Sequence, residues 1–148
     1  MKRFFGLGDK QSKGLDLQIM DARDFIRNYR GEKFDLIIED LYFEQNGVAE
    51  RAVVMDEVWM KALRRHLDPQ GMLVCNFPDQ HQFRAATHLE LPWRSMFAFT
   101  LPAYENCIGV FTQRRDLLTD IPAALRKCAA RDKRIPAKVP SFRWRRMR

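Results

Sequence analysis

Short apolar blocks punctuate this chain, and the spacing inside each block predicts an element. Leu36, Ile37 and Ile38 run uninterrupted through residues 34–40, which end in Glu39 and Asp40; this is the pattern of a parallel strand covered on both faces. Residues 72–77 form a second such run, and residues 15–20 alternate apolar and polar positions as a shorter strand would. Helical spacing governs the segments between. In residues 21–30, Ala22, Phe25, Ile26 and Tyr29 share a face, acids fill the first turn, bases the last, and Gly31 ends the run. Across residues 49–67, Ala52, Met55, Val58, Trp59, Ala62, Leu63 and Leu67 recur at three- and four-residue steps. That spacing predicts one long amphipathic helix with Met55 and Trp59 in the core. Leu67-Asp68-Pro69-Gln70-Gly71 breaks it. Residues 79–89 and 121–131 predict two more helices, while residues 95–101 and 106–113 predict a hairpin at an antiparallel edge. Residues 1–7 read as the end of a helix, residues 9–14 as a polar turn, and Asn46-Gly47 as part of a polar loop.

Strand, helix, strand, helix, strand, helix and hairpin in that order predict an α/β fold. Its sheet is mostly parallel, with an antiparallel C-terminal hairpin and helices on both faces. Ligands of such sheets sit outside the carboxyl ends of the strands, so Asp40 is the first place to expect chemistry. The alternative is that Glu39 and Asp40 only close a strand and open a loop. With 148 residues, 46% hydrophobic and 11% aromatic, the chain fits one domain with its own core.

Charge is concentrated at one end. From Arg126 onward there are ten Lys or Arg against the single Asp132, which takes nine of the net +7 and leaves residues 1–125 at −2. Residues 139–148 interleave Phe142 and Trp144 with arginines, a composition able to hold phosphate and stack on bases. An exposed basic tail without a specific partner is the simpler expectation. Cys75, Cys107 and Cys128 are odd in number and widely spaced, which argues against a disulfide framework, and His66, His81 and His88 lack metal-ligand spacing. No apolar run approaches the roughly 20 residues of a membrane span, so no membrane association and a cytoplasmic location are expected.

Four segments together resemble one family. They are Arg3-Phe4-Phe5-Gly6-Leu7, Asp21-Ala22-Arg23-Asp24-Phe25-Ile26, Phe34-Asp35-Leu36-Ile37-Ile38-Glu39-Asp40 and Leu67-Asp68-Pro69-Gln70-Gly71-Met72-Leu73-Val74. In order and spacing they resemble the spermidine synthase-like group of class I S-adenosylmethionine-dependent methyltransferases over roughly residues 1–115. The resemblance implies an incomplete Rossmann-like methyltransferase sheet in residues 1–131; the charge run together with Pro136 and Pro140 predicts a basic, flexible tail in residues 132–148. It also implies S-adenosylmethionine or its decarboxylated form as cosubstrate and a small amine as acceptor, and it admits a homodimer. Asp21 would accept from the adenine amino group, with the Ala22 backbone at the ring edge. Asp40 would deprotonate the attacking amine. Asp21 as a plain helix cap is the competing expectation.

The departures matter as much. Where polyamine synthases usually carry a Ser- or Thr-rich stretch and a second, diamine-holding acid, this chain has Leu41-Tyr42-Phe43-Glu44; Tyr42 and Glu44 are the candidate substrate contacts there. The family's first strand, glycine-rich loop and ribose-binding acid would all precede Arg3. A start inside a longer enzyme, an inactive remnant, or a sheet completed by another polypeptide would each account for that, the first two being favoured. The expectation is therefore a transferase, for aminopropyl or methyl groups, that is inactive as this chain stands and binds S-adenosyl compounds weakly or not at all. The alternative function is a non-catalytic module that contacts RNA or another acidic partner through the Arg/Trp-rich end.

Overall fold

The computed structural model describes residues 14–114, 121–131 and 142–147. It divides into two compact units, Met1–Arg30 and Gly31–Arg148. In the first, Asp21 caps helix α1 (Ala22–Asn28), its Oδ1 accepting from the Arg23 N–H at 2.7 Å. The first-turn acid Asp24 meets the last-turn base Arg27, and Ile26 is the buried position. The strand expected over residues 15–20 does not form: the segment carries no ladder and Ile19 is 91% exposed. Alternation alone cannot hold a strand whose backbone groups have no neighbouring strand to pair with. The readings for residues 1–13 lie outside the described residues.

The second unit runs β1 (Phe34–Glu39), β2 (Tyr42–Gln45), β3 (Val48–Arg51), α2 (Glu57–Arg65), β4 (Leu67–Phe77), α3 (Gln80–Thr87), β5 (Ser95–Thr100), β6 (Cys107–Thr112), α4 (Ile121–Arg131) and β7 (Arg143–Met147). It is a mixed α/β structure: a five-stranded sheet in the order β1-β4-β6-β5-β7 and a separate two-stranded ribbon, β2-β3. Parallel pairing occurs at β1–β4, the two strands joined through the β2–β3 ribbon and α2, and the other pairings of the large sheet are antiparallel. The expected hairpin forms as β5–β6, but β6 lies inside the sheet, between β4 and β5, rather than at an edge.

The core lies on the sheet face under α3. Leu73, Cys75 and Phe77 of β4 and Phe111 of β6 are fully buried there, and the rings of Phe77, Phe83 and Phe111 pack at 5.5–6.2 Å between centroids. Contacts of this kind, about 25 cal/mol for each Å² of apolar surface removed from water, hold helix to sheet. Gly109 is required between them, since a Cβ there would stand 2.7 Å from both the Phe77 and the Phe83 ring. On the opposite face, at the β1 edge, Leu36 and Ile38 are 47% and 68% exposed, so the covering on both faces expected for this strand is not provided by the described residues. No helix among the described residues is long and apolar enough to cross a membrane.

The long helix over residues 49–67 is instead β3, a short connection and α2, and Val58 is 77% exposed rather than buried. Asn46 and Gly47, with φ of 54° and 77°, form the tight turn that folds β3 back onto β2. Both residues tolerate left-handed backbone, and the turn's twist suits a ribbon. Of the basic stretch 132–148, residues 143–147 form β7, which pairs with β5 over Met96–Met147 to Thr100–Arg143, and residues 132–141 and 148 lie outside the described residues.

Candidate functional site

Alternation along β1 sends Glu39 and Asp40 to opposite sides at the carboxyl end of the parallel pair. Asp40 is exposed, and its Oδ1 accepts from Asn76 Nδ2 at 3.0 Å. Asn76 Oδ1 in turn accepts from Asn106 Nδ2 at 3.0 Å. One amide thereby links the ends of β1 and β4 to the residue that precedes β6, and both of its polar ends are committed. With Oδ1 engaged, Oδ2 is the Asp40 oxygen left to meet an incoming donor.

Glu39 has a different partner. Arg51, the last residue of β3, gives Nη2 to both carboxylate oxygens at 2.6 and 2.5 Å, in an ion pair whose side chains are 2% and 8% exposed. Its Nη1 donates to the Asn76 carbonyl, and its Nε to the Val53 carbonyl at 3.1 Å. Tyr42 Oη also donates to the Asn76 carbonyl, at 3.0 Å. That carbonyl lies just past Glu39–Cys75, the last β1–β4 register pair, and these side chains satisfy it where the ladder has ended. The guanidinium stacks on Tyr42 and Phe77 at 5.2 and 5.8 Å from the ring centroids.

Burial alone would lower the Arg51 pKa, but hydrogen bonding and charge attraction from Glu39, with help from Tyr42, leave it above its ordinary value. Burial raises the Tyr42 phenol, partly offset by Arg51. Burial also pushes the Cys75 thiol far up, with Glu39 adding to it; a thiol held neutral in this way is a packing group and not a nucleophile.

The site residues expected from the sequence fall in different places. Asp40 and Tyr42 come together around Asn76, Asp40 on its side chain and Tyr42 on its carbonyl. Glu44 is exposed on β2, opposite Ala49. Asp21 serves as a helix cap, and both its oxygens accept from the Arg23 side chain, at 3.1 and 2.8 Å. That contact holds its carboxyl well below the usual carboxylate range. Ala22 opens α1 as its first residue. Sequence reasoning missed Arg51, Asn76 and Asn106. Asn76 had a usable signal, a polar residue near the end of an apolar strand; Arg51 was hidden by its assignment to a helix. Among the described residues no cluster of three or more His, Cys, Asp or Glu could hold a metal ion. No protein-family model, no curated protein and no solved structure matches this chain.

Proposed function

We propose that this chain carries the acceptor side of a spermidine synthase-like, S-adenosylmethionine-dependent transferase, with Asp40 as the group that holds and deprotonates a small amine. The observation that carries the proposal is the Asp40–Asn76–Asn106 chain at the carboxyl end of the β1–β4 parallel pair. An ammonium has no lone pair with which to attack carbon. An exposed carboxylate fixed through one oxygen can accept its N–H at the other, take the proton and leave the neutral amine oriented. Tyr42 and Glu44 would line the acceptor's approach. S-adenosylmethionine or its decarboxylated form would supply the electrophilic carbon, bonded to a sulfonium.

The residues present fit that cosubstrate poorly. Asp21, proposed at the adenine, already serves Arg23 through both oxygens, and the sequence has no GxGxG-type loop to let backbone approach a nucleotide. The 148-residue chain alone is accordingly proposed not to bind it, and S-adenosylmethionine should leave its melting temperature unchanged. The acceptor side can be tested without it. Titration with putrescine, followed by NMR, should move the Asn76 side-chain amide resonances, and Asp40→Asn should abolish the movement. Resonances that stay still, or that move equally in Asp40→Asn, would overturn the proposal.

A second reading, binding of RNA or another acidic partner through the basic end, has one observation in its favour. Arg84 of α3 and Arg143 and Arg145 of β7 line a cavity of about 440 Å³. Trp144 also lines this cavity, whereas Arg146 lies against the Phe97 ring, 5.9 Å from its centroid. Steeply salt-dependent RNA binding that disappears in Arg143→Glu/Arg145→Glu would support this reading, and unchanged binding would remove it.

A further inference from the structure

At the other end of β4 from Asn76, roughly 16 Å away at about 3.3 Å per residue from Gly71, lies a second polar region. There the start of β4, the last turn of α2 and the segment before β5 enclose a cavity of about 670 Å³. Five cations line it: Lys33, Lys61, Arg64, Arg65 and Arg94. The one acid in its lining is Asp68, whose Oδ1 is occupied by the Gln70 N–H at 2.8 Å.

Bases at the end of α2 have an ordinary explanation, since they complement the negative end of a helix dipole. That does not account for Lys33 and Arg94, which arrive from other segments. Lys61 pairs with Glu57, but no ion pair joins Lys33, Arg64, Arg65 or Arg94 to an acid among the described residues. Arg64 lies against the Trp93 ring, its guanidinium carbon 5.6 Å from the centroid, which fixes the side chain in place. Arg64 Nε and Trp93 Nε1 are both buried without a hydrogen-bond partner. Both nitrogens are closed off from solvent, so it is the cations gathered from separate segments that a ligand in the cavity would meet.

We infer that this cavity binds the phosphate groups of a small, nucleotide-sized polyanion. Guanidinium and ammonium groups are donors without acceptor capacity, so the complementary ligand is acceptor-rich and multiply charged. The volume falls in the range of small-molecule sites, about 300–1,000 Å³. The proposal stands apart from the Asp40 reading, because it uses other residues at the opposite end of the strand.

Inorganic pyrophosphate is the probe. Calorimetric titration of the whole chain at fixed ionic strength should give saturable binding of one equivalent and a raised melting temperature. Lys33→Glu/Arg94→Glu, at two exposed positions, should weaken binding by about tenfold or more. Arg84→Glu/Arg145→Glu, outside the cavity, should change it by less than about twofold. Should the first pair not fold by circular dichroism, Arg65→Gln serves, with the same direction of effect. Binding that never saturates, equal loss in the two double variants, or equally tight binding of citrate at matched ionic strength would overturn the inference.

Discussion

Glu39 and Asp40 are consecutive acids that meet opposite fates. Glu39 is 3% exposed and clamped through two short hydrogen bonds by Arg51, whose guanidinium lies over the Tyr42 and Phe77 rings. Asp40 faces solvent and is tethered by one neutral amide. The pleat creates the difference, since a step of one residue exchanges the core side for the outer side. The comparison teaches that an acid's position at a strand end does not define its role. The buried acid is a structural fixture that anchors the β2–β3 ribbon, and the exposed one is held through a single hydrogen bond to Asn76.

The largest test breaks the buried side. Arg51→Ala should cost about 3–5 kcal/mol in urea denaturation, because it strands a desolvated carboxylate. Glu39→Leu/Arg51→Met should recover much of that loss, and failure to recover would mean that Arg51 acts mainly through the Asn76 carbonyl. A smaller effect separates the two acids. Asn76→Ala keeps the carbonyl used by Arg51 and Tyr42 but removes the amide that holds Asp40, so a cost of about 0.5–1.5 kcal/mol is expected by the same measurement. A loss as large as that of Arg51→Ala would show the two clusters to be one unit.

Next comes an alkaline test. The Tyr42 phenol is raised above its ordinary value of 10.0, burial being the main cause. Its contribution is therefore complete below pH 10 and is lost as pH rises through the higher folded value. The stability of the native chain should fall in that window, and Tyr42→Phe should flatten this part of the profile. The smallest expected effect belongs to Asp40→Asn, within about 0.5 kcal/mol by thermal unfolding. A large loss there would make Asp40 structural too and remove the basis of the contrast.

Much of the sheet was legible because its strands are written in local pattern. The apolar run ending at Asp40 and the hairpin around residues 102–105 carry their own period, and Asp21 caps α1 as expected, although the helix ends at Asn28 with Tyr29 as its cap, ahead of Gly31. The β2–β3 ribbon was misread for a physical reason: Ala49, Ala52 and Met55 fit helical spacing by chance, whereas Asn46-Gly47, a strong turn signal, was taken for an ordinary loop. Asp40 was legible as a strand-end acid. Its dependence on Asn76 and Asn106 was not, because residues thirty or more positions apart meet only when β1, β4 and β6 align. The same holds for β7, whose pairing with β5 no local period announces.

That last pairing has a consequence in time. The β5–β6 hairpin closes over a few residues and β1–β4 over the β2–β3 ribbon and α2, but β7 returns to β5 only after the chain has passed through β6 and α4. Long closures come late and are the first to be undone. In native-state hydrogen exchange the amides of β7 should therefore exchange ahead of those of Leu73 and Phe111. The arginine-bearing strand would then behave as a latch that opens and shuts many times during the life of one folded molecule, while the strand that bears Asn76 stays closed.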